Sequence, residues 1–394
     1  MNLRSILTFG VLVIVVILAG DQLRNLYDDT NLLRPYDYME YWSAGRATLR
    51  GQNPYDGDVL YPLQQEMGTR YNDPVMMWNP PWTLPAAMLV GAVPWRMGQL
   101  IWLALNFFAM MGSALMLWRL YGGIGRFVWV AGVVTCLYAP TPFLLLLGQI
   151  SGFMLFGLVG FLWAVKNERF ALAGVLAALT AIKPHLLVGF AIVLVLQSLR
   201  GNAVWKSVLA GAAALLLFGL IPLAWNPAVW SQYREGTGVA STKSHPTLHD
   251  WEHPTLGYEI RHALPNRPFA AMFIPLAVAV PLVIGYWWLR RRNWDWLIEL
   301  PRLILISLLT APYGAWGFDL VLLLVPVIQA TVWLVADGRR WVCVGVGIAY
   351  LVLNLLALST ISREGSMTNL WIVPVTFAGY LLVGWLTRLT PARP

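Results

Sequence analysis

Long apolar runs alternate with short polar connections over most of the chain. Runs of about 15 to 25 apolar residues fit α-helices that cross a bilayer, because a crossing needs about 20 residues. The pattern predicts an all-α fold, a multi-pass transmembrane helical bundle that forms one domain over residues 1–394. The predicted apolar segments are Ser5–Gly20, Trp82–Val93, Gln99–Trp118, Phe127–Tyr138, Phe143–Val165, Leu172–Ile182, Leu186–Leu199, Val204–Ala224, Phe269–Leu289, Trp296–Thr310, Phe318–Val335, Trp341–Leu358 and Leu370–Leu386.

Basic residues lie mainly in short connections, such as Arg290 to Arg292, which the positive-inside rule places in the cytoplasm. We expect the amino terminus and the basic carboxyl terminus both to lie in the cytoplasm, which requires an even number of crossings. We therefore expect about 12 crossings, within a range of roughly 11 to 13. Trp82–Val93 is the segment expected not to cross, because counting it would place Arg119 and Arg126 outside.

Two long polar segments, Asp21–Asn79 and Trp225–Pro268, then lie on the same non-cytoplasmic side. The first contains two short stretches with helical spacing of apolar residues, which predict interfacial helices on the membrane face. Shorter polar turns around Gln149, Lys183 and Pro312–Asp319 belong to the same side or just beneath it. The polar chemistry of the chain is thus expected to converge on one face.

Composition agrees with a membrane protein, since 58% of residues are hydrophobic and only 12% are charged. A soluble domain carries roughly a quarter charged residues. The net charge of +8 arises in the membrane-flanking connections, so no nucleic-acid partner is expected. Cys136 and Cys343 lie apart in apolar stretches, which predicts neither a disulfide nor a metal site. The first apolar segment has no small-residue cleavage site, so we expect an uncleaved helix.

Asp37 and Glu40 stand three residues apart, so on a helix they share one face. Glu40 is either a solvated acid that opposes Arg34 or Arg46, or part of a site. Asp37 lies between two tyrosines at a helix start against the bilayer. A half-desolvated carboxylate there has the property required of a general base that takes a proton from an incoming hydroxyl.

Lys183-Pro184-His185 interrupts a long apolar stretch. An ionisable residue within a membrane segment is energetically costly and indicates function, while the proline breaks the helix and frees backbone groups for a cavity. A lysine with a histidine there suits a phosphate at head-group level. The alternative is a lysine whose ammonium group extends to the interface beside an ordinary proline kink.

Two other polar residues leave alternatives open. Gln149 either joins helices by a hydrogen bond or contacts a ligand. Asp319 either favours a helix start through the dipole or lines the same cavity as Lys183. His245, His249 and His253 recur at a spacing of four, but Pro246 and Pro254 disfavour a continuous helix, so no metal and no cofactor are expected.

The residues of the first polar segment resemble a known family. The pattern Asp37-x3-Tyr41-Trp42-x-Ala44-Gly45, followed by Gly51-x2-Pro54-Tyr55, resembles the first external loop of glycosyltransferase family 87, in the GT-C superfamily. Further matches follow in order along the chain: Asn79-Pro80-Pro81, Gly148-Gln149-x-Ser151, Ala173-Gly174 leading to Lys183-Pro184, and Ala311-Pro312-Tyr313 running to Asp319.

The resemblance implies a GT-C-like enzyme of the cell (inner) membrane that transfers a sugar on its external, periplasmic side. The donor would be a polyprenyl-phosphate sugar carrying mannose or a pentose such as arabinofuranose, and the acceptor a lipid or glycan. Asp37 would be the catalytic base, and Lys183 with His185 would bind the donor phosphate. The substrate cavity would contain Glu40, Tyr41, Tyr55, Gln149, Tyr313 and Asp319.

One departure from the family weakens the choice of mannose. Some relatives carry histidines in the stretch that matches Trp316–Asp319, whereas Gly317 and Phe318 stand there in this chain. Two other functions remain open: a transporter or flippase of a lipid-linked sugar, and a structural membrane subunit. A transporter often shows two repeated halves, which this sequence lacks.

Overall fold

The structure is a computed structural model, and it describes residues 34–200, 203–237, 252–361 and 369–388. These residues form helices and contain no strand. The predicted first helix, Ser5–Gly20, lies outside the described residues. The helices are α1 Tyr38–Leu49, α2 Gly57–Glu66, α3 Leu84–Gly91, α4 Trp95–Leu120, α5 Val128–Leu137, α6 Pro140–Leu147, α7 Ser151–Lys166, α8 Phe170–Ala178, α9 Val188–Ser198, α10 Trp205–Leu220, α11 Val229–Thr237, α12 Leu256–Ala263, α13 Ile274–Arg290, α14 Trp296–Leu309, α15 Leu324–Asp337, α16 Arg340–Ile361 and α17 Ile372–Arg388.

Within this described part, five helical stretches are long and apolar enough to cross a membrane. They are Trp95–Leu120, Trp205–Ala224, Phe269–Asn293, Asp319–Asp337 and Arg340–Thr360. The pair α5 and α6, bent by 60° at its break, makes a sixth if it counts as one span. Four shorter apolar stretches accompany them, so the molecule is a helical membrane protein.

The segment Trp82–Val93 contains only a short turn and α3, a helix of eight residues. At 1.5 Å per residue such a helix is about 12 Å long, against roughly 30 Å for the hydrocarbon core. α3 is therefore too short to cross a bilayer by itself.

Helices α1 and α2 occupy the places where the sequence predicts two interfacial helices, but α1 is not a surface helix. Ten of its twelve residues are buried. Its polar side chains remain satisfied inside, because Ser43 and Thr48 donate hydrogen bonds to carbonyls one turn earlier in α1. Gln64 of α2 donates a further hydrogen bond to Ser43. The prediction that α1 lies on the membrane face as an interfacial helix is wrong, because α1 packs inside the protein.

The close approach of α1 and α3 explains why glycine stands at position 45. A Cβ at Gly45 would overlap the carbonyl of Ala87. The same kind of contact joins α8 to α10, where a Cβ at Gly174 would overlap the carbonyl of Ser207. Small residues let helix backbones approach closely in membrane proteins. The contact between Gly45 and Ala87 fixes the position of α1, and Asp37 is the N-cap residue of that helix.

The bent pair α5 and α6 delivers another part of the site. Pro140 begins α6, and the bend before it is held by Tyr138, which donates to the carbonyl of Leu320, and by Asn354, which accepts from the amide of Ala139. α6 ends at Gly148, whose φ of 72° is left-handed and favours glycine. This turn directs Gln149 away from the helix.

Candidate functional site

A cavity of about 360 Å³ lies between the first polar segment and the turns that precede α7, α9 and α15. Its size falls within the range of small-molecule sites, about 300 to 1,000 Å³. The side chains that line it come from distant parts of the sequence. They are Asp37, Glu40, Tyr41, Val75, Met76, Trp78, Asn79, Pro80, Gln149, Ile182, Lys183, Pro184, His185, Tyr233, Tyr313, Trp316 and Phe318.

Gln149 connects the two charged groups that face each other in this cavity. Its Nε2 donates a hydrogen bond of 2.8 Å to Oδ2 of Asp37. Its Oε1 accepts from the Tyr41 hydroxyl at 2.9 Å and from Nζ of Lys183 at 3.2 Å. The amide is therefore fully oriented, with its donor toward the carboxylate and its acceptor toward the ammonium group.

Asp37 is the N-cap residue of α1, but its side chain makes no capping hydrogen bond. The carboxylate is thus free to face the cavity. Burial raises the pKa of Asp37, and the hydrogen bond from Gln149 and the charge of Lys183 counteract part of that rise. A carboxylate with a raised pKa accepts a proton more readily once it is ionised.

Glu40 lies one turn further along α1 and is 6% exposed. Burial is the main cause that raises the pKa of Glu40 to about 8, against partial opposition from Lys183. Near neutral pH, Glu40 therefore holds a proton for much of the time. Of the two alternatives for Glu40, the solvated acid does not fit, because α1 is packed inside the protein and Glu40 lines the cavity.

Lys183 lies between two single 3₁₀ turns, Leu179–Ile182 and Pro184–Leu186, where the chain is not helical. Its Nζ donates to Asp319 Oδ1 at 2.7 Å as well as to Gln149, and it lies 4.7 Å from the centre of the Phe318 ring. Among the described residues, Asp319 and Gln149 accept hydrogen bonds from two of the three N–H donors of the lysine ammonium group. One N–H donor therefore remains for a ligand.

Asp319 does not line the cavity, because it lies fully buried beneath Lys183. Its Oδ1 also accepts a hydrogen bond from Ser151 at the start of α7. Asp319 therefore holds the lysine against the wall of the cavity. Of the two sequence alternatives, the start of a helix fits, because Asp319 begins the short 3₁₀ helix Asp319–Leu323, whereas its carboxylate does not line the cavity.

His185 lines the cavity with its ring 4.2 Å from that of Tyr313. Burial, followed by the charge of Lys183, lowers the pKa of His185 to about 3, so the imidazole is neutral. Its Nε2 is buried and has no hydrogen-bond partner among the described side chains and backbone. The neutral ring lines the cavity but adds no positive charge to it.

Tyr55 does not line the cavity either. Its hydroxyl donates to the carbonyl of Asn79, and its ring packs 5.2 Å from that of Tyr233. Asn79 in turn donates from its side chain to the carbonyl of Ile182, beside Lys183. Tyr55 thus supports the wall that carries the lysine, and of the two packed tyrosines it is Tyr233 that lines the cavity.

Four aromatic lining residues, Trp78, Tyr233, Trp316 and Phe318, were not predicted from the sequence. Each lies in a polar connection or directly beside one, where sequence spacing gives no information on which side chain turns inward. His253 lies behind this wall and accepts a hydrogen bond from the amide of Gly314. His245 and His249 lie outside the described residues, and the described residues contain no group of three metal-ligating side chains.

The apolar helices define an integral membrane protein, and its cavity contains the side chains of Asp37, Glu40, Gln149, Lys183 and His185. Residues 78–312 match the model of glycosyltransferase family 87. The match covers more than half of the chain, and the chain belongs to this family of glycosyltransferases. It includes Gln149, Lys183 and His185, whereas Asp37 precedes it and Asp319 follows it. No curated protein and no solved structure matches the chain significantly.

Proposed function

We propose that the protein transfers a sugar, mannose or a pentose such as arabinofuranose, from a polyprenyl-phosphate donor to a lipid or glycan acceptor. The observation that carries the proposal is the Gln149 amide, which joins Asp37 to Lys183 inside one cavity. An inverting displacement needs a base on one side of the sugar and positive charge at the departing phosphate on the other. Asp37 and Lys183 supply these groups.

In the proposed reaction, Asp37 takes the proton of the acceptor hydroxyl while the hydroxyl oxygen attacks the anomeric carbon. The bond from that carbon to the phosphate oxygen breaks, and polyprenyl phosphate leaves with the electron pair. Lys183 stabilises the negative charge on the leaving phosphate with its remaining N–H donor. Neutral His185 donates one hydrogen bond to a phosphate or sugar oxygen, and the attack from the opposite side inverts the anomeric configuration.

The proposed arrangement in the membrane follows from the location of basic residues. About 12 crossings in a GT-C-like bundle would place the cavity at the external, periplasmic side of the cell membrane. Nucleotide sugars are scarce there, so a sugar on a membrane lipid is the practical donor. The apolar surface of helices such as α13, which exposes Leu282 and Leu289, offers a bilayer-facing path for a prenyl chain.

Purified protein in liposomes tests this function directly. Radiolabelled polyprenyl-phosphate mannose and polyprenyl-phosphate arabinofuranose would be supplied in turn, with a membrane lipid extract as the source of acceptor. Incorporation of label into a lipid or glycan, with release of polyprenyl phosphate, supports transfer. Movement of the intact donor across the bilayer without incorporation would show a flippase. If neither incorporation nor movement occurred, a structural subunit would be the remaining function.

A further inference from the structure

A second cavity, of about 330 Å³, lies on the other side of the chain segment that carries Asp37. Two arginines, two tyrosines and two methionines are among the residues that line it, and no carboxylate side chain is among its described lining residues. The lining residues are Arg34, Pro35, Tyr36, Met39, Met67, Gly68, Thr69, Arg70 and Tyr71. We refer to this space as the arginine cavity.

The arginine cavity is adjacent to the proposed base. Tyr36 lines it, while the next residue, Asp37, lines the first cavity. Tyr71 also lines it, and the chain reaches the first cavity again at Val75. Burial and, after it, the charge of Asp37 raise the pKa of the Tyr71 hydroxyl, which agrees with the proximity of the two side chains.

The two arginines carry charge that no described carboxylate neutralises, since neither forms an ion pair within the described ranges. The backbone around Arg34 is nevertheless fixed. Gln99 donates from its side chain to the carbonyl of Arg34, and Arg96 donates to Gln99. On the other side, the Tyr61 hydroxyl donates to the carbonyl of Tyr71. The cationic groups are thus attached to an ordered frame.

Tyr36 adopts a backbone conformation that side-chain-bearing residues rarely take. Its φ is 31°, in the left-handed region, immediately before the N-cap of α1. Such a conformation is energetically unfavourable for a residue with a side chain and is concentrated at functional positions. The turn directs Asp37 toward one cavity and leaves Tyr36 in the wall of the other.

We propose that the arginine cavity binds the acceptor through an anionic group, a phosphodiester in the head group of a hydroxyl-bearing lipid. This inference rests on the proposed function, because an acceptor bound here would place its hydroxyl group near the proposed base, Asp37. Arginine pairs with phosphate oxygens through two parallel hydrogen bonds. Tyr71, which is 45% exposed, offers an aromatic face and a hydroxyl to the polyol part of the same head group.

Electrostatics explains why an anionic acceptor would need both arginines. The ionised carboxylate of Asp37 repels an approaching anion, and Lys183 on the far side is already paired with Asp319. Arg34 and Arg70 offset this repulsion at the side where the hydroxyl must enter. The acceptor and the donor phosphate would then bind to different cations, on opposite sides of Asp37.

Native mass spectrometry of the purified full chain in a neutral detergent tests the site. One probe is phosphatidylglycerol, whose head group has hydroxyls and a phosphodiester, and the other is monoglucosyl diacylglycerol, which has hydroxyls and no charge. The variant is Arg34→Gln with Arg70→Gln, and the matched control is Arg50→Gln, an exposed arginine of the same polar segment outside both cavities. Arg70→Gln alone, at an exposed position, serves if the double variant does not fold.

We expect the double variant to bind phosphatidylglycerol about tenfold more weakly, as two partly exposed charge contacts warrant. Its binding of the glucolipid should not change, and Arg50→Gln should alter neither. Unchanged phosphatidylglycerol binding, an equal loss of both lipids, or the same loss in Arg50→Gln would overturn the site. So would loss of polyprenyl-phosphate binding, which would assign the cavity to the donor.

The binding measurement also separates this inference from the proposed function. Asp37→Asn should retain phosphatidylglycerol binding in full, since the carboxylate is not part of the arginine cavity. If the double variant bound phosphatidylglycerol normally while wild-type protein transferred sugar, the acceptor site would be wrong and the function would stand. If phosphatidylglycerol binding fell as expected but no sugar were transferred, the anionic site would stand and its role as acceptor site would be wrong.

Discussion

Gln149 is the residue through which the state of the proposed base is controlled. It donates to Asp37 and accepts from Lys183, and it is 5% exposed. A donor to the ionised carboxylate stabilises the charged form and lowers its pKa. This contact opposes the effect of burial, which raises the pKa of Asp37. The amide thus keeps Asp37 usable as a base closer to neutral pH.

Replacement of Gln149 by leucine removes that hydrogen bond and should raise the pKa of Asp37 further. A base acts only when deprotonated, so activity falls as the pH drops through its pKa. We therefore expect the acid limb of kcat/KM against pH to move to higher pH in Gln149→Leu, by about one pH unit for one lost charge-assisted hydrogen bond. The measurement is a pH profile of sugar transfer.

Gln197→Leu is the matched control for this profile, because Gln197 is a buried glutamine in the last turn of α9. It should leave the acid limb in place. An unchanged limb in Gln149→Leu, or a shift toward lower pH, would contradict the role assigned to Gln149.

The sequence allowed several site residues to be predicted, and the reason is physical. Lys183 and Gln149 were predicted because burial of a polar group within an apolar membrane segment is energetically unfavourable, so such residues usually have a function. Tyr55 and Asp319 were assigned to the cavity wrongly, since sequence shows that a residue is near a site but not its depth. Both lie one layer behind the lining and support it.

At the scale of elements, an ion pair joins two turns that are far apart in sequence. Lys183 lies in the break between α8 and α9, and Asp319 lies at the end of the loop between α14 and α15. The pair is 2.7 Å long, and its side chains are 9% and 0% exposed. Two helix pairs of the bundle are therefore connected at the cavity by a buried charge contact.

Removal of one partner of a buried pair leaves the other charge uncompensated. Lys183→Met should destabilise the protein by about 3 to 5 kcal/mol, because Asp319 remains buried. The double variant Lys183→Met with Asp319→Asn removes both charges and should recover much of that stability. Thermal unfolding in detergent measures both effects.

The same variants distinguish a structural role of Lys183 from a role in sugar transfer. If Lys183 binds the donor phosphate, the double variant should remain at least about 100-fold less active than wild type despite its recovered stability. Full recovery of transfer in the double variant would show that the ion pair serves the fold alone.

The elements themselves were partly predictable. Two helices in the first polar segment were expected from spacing, and the structure has them at Tyr38–Leu49 and Gly57–Glu66. The burial of α1 was not predictable, because its spacing also fits a surface helix. What decides it is the contact of Gly45 with Ala87, which depends on a partner helix about forty residues away.

For the whole molecule, the proposed function requires that both long polar segments face the outside. Cysteine labelling of intact cells tests this in a background where Cys136 and Cys343 are replaced by alanine. Gln65→Cys in the first segment and Ala263→Cys in the second are exposed positions, and Arg292→Cys lies in a predicted cytoplasmic connection. A membrane-impermeant thiol reagent should label the first two from outside and not the third.

If only Arg292→Cys were labelled, the true topology would be the inverse of the predicted one, and the cavity would lie on the cytoplasmic side. Nucleotide sugars are abundant there, so the argument for a lipid-linked donor would no longer hold. The number of crossings stays a prediction, because the first apolar segment lies outside the described residues. The all-helical bundle was predictable from the apolar runs, whereas the convergence of Asp37, Gln149 and Lys183 on one cavity was only an expectation.

The most direct test of the account compares Asp37→Asn with Glu40→Gln for the rate of sugar transfer from a polyprenyl-phosphate donor. Both substitutions replace a carboxylate of α1 in the same cavity by an amide of similar size. We expect Asp37→Asn to lose about 10² to 10⁴ in kcat, the usual contribution of a general base. Glu40→Gln should lose about tenfold or less, because Glu40 is largely protonated near neutral pH. Full activity in folded Asp37→Asn would contradict the assignment of Asp37 as the base.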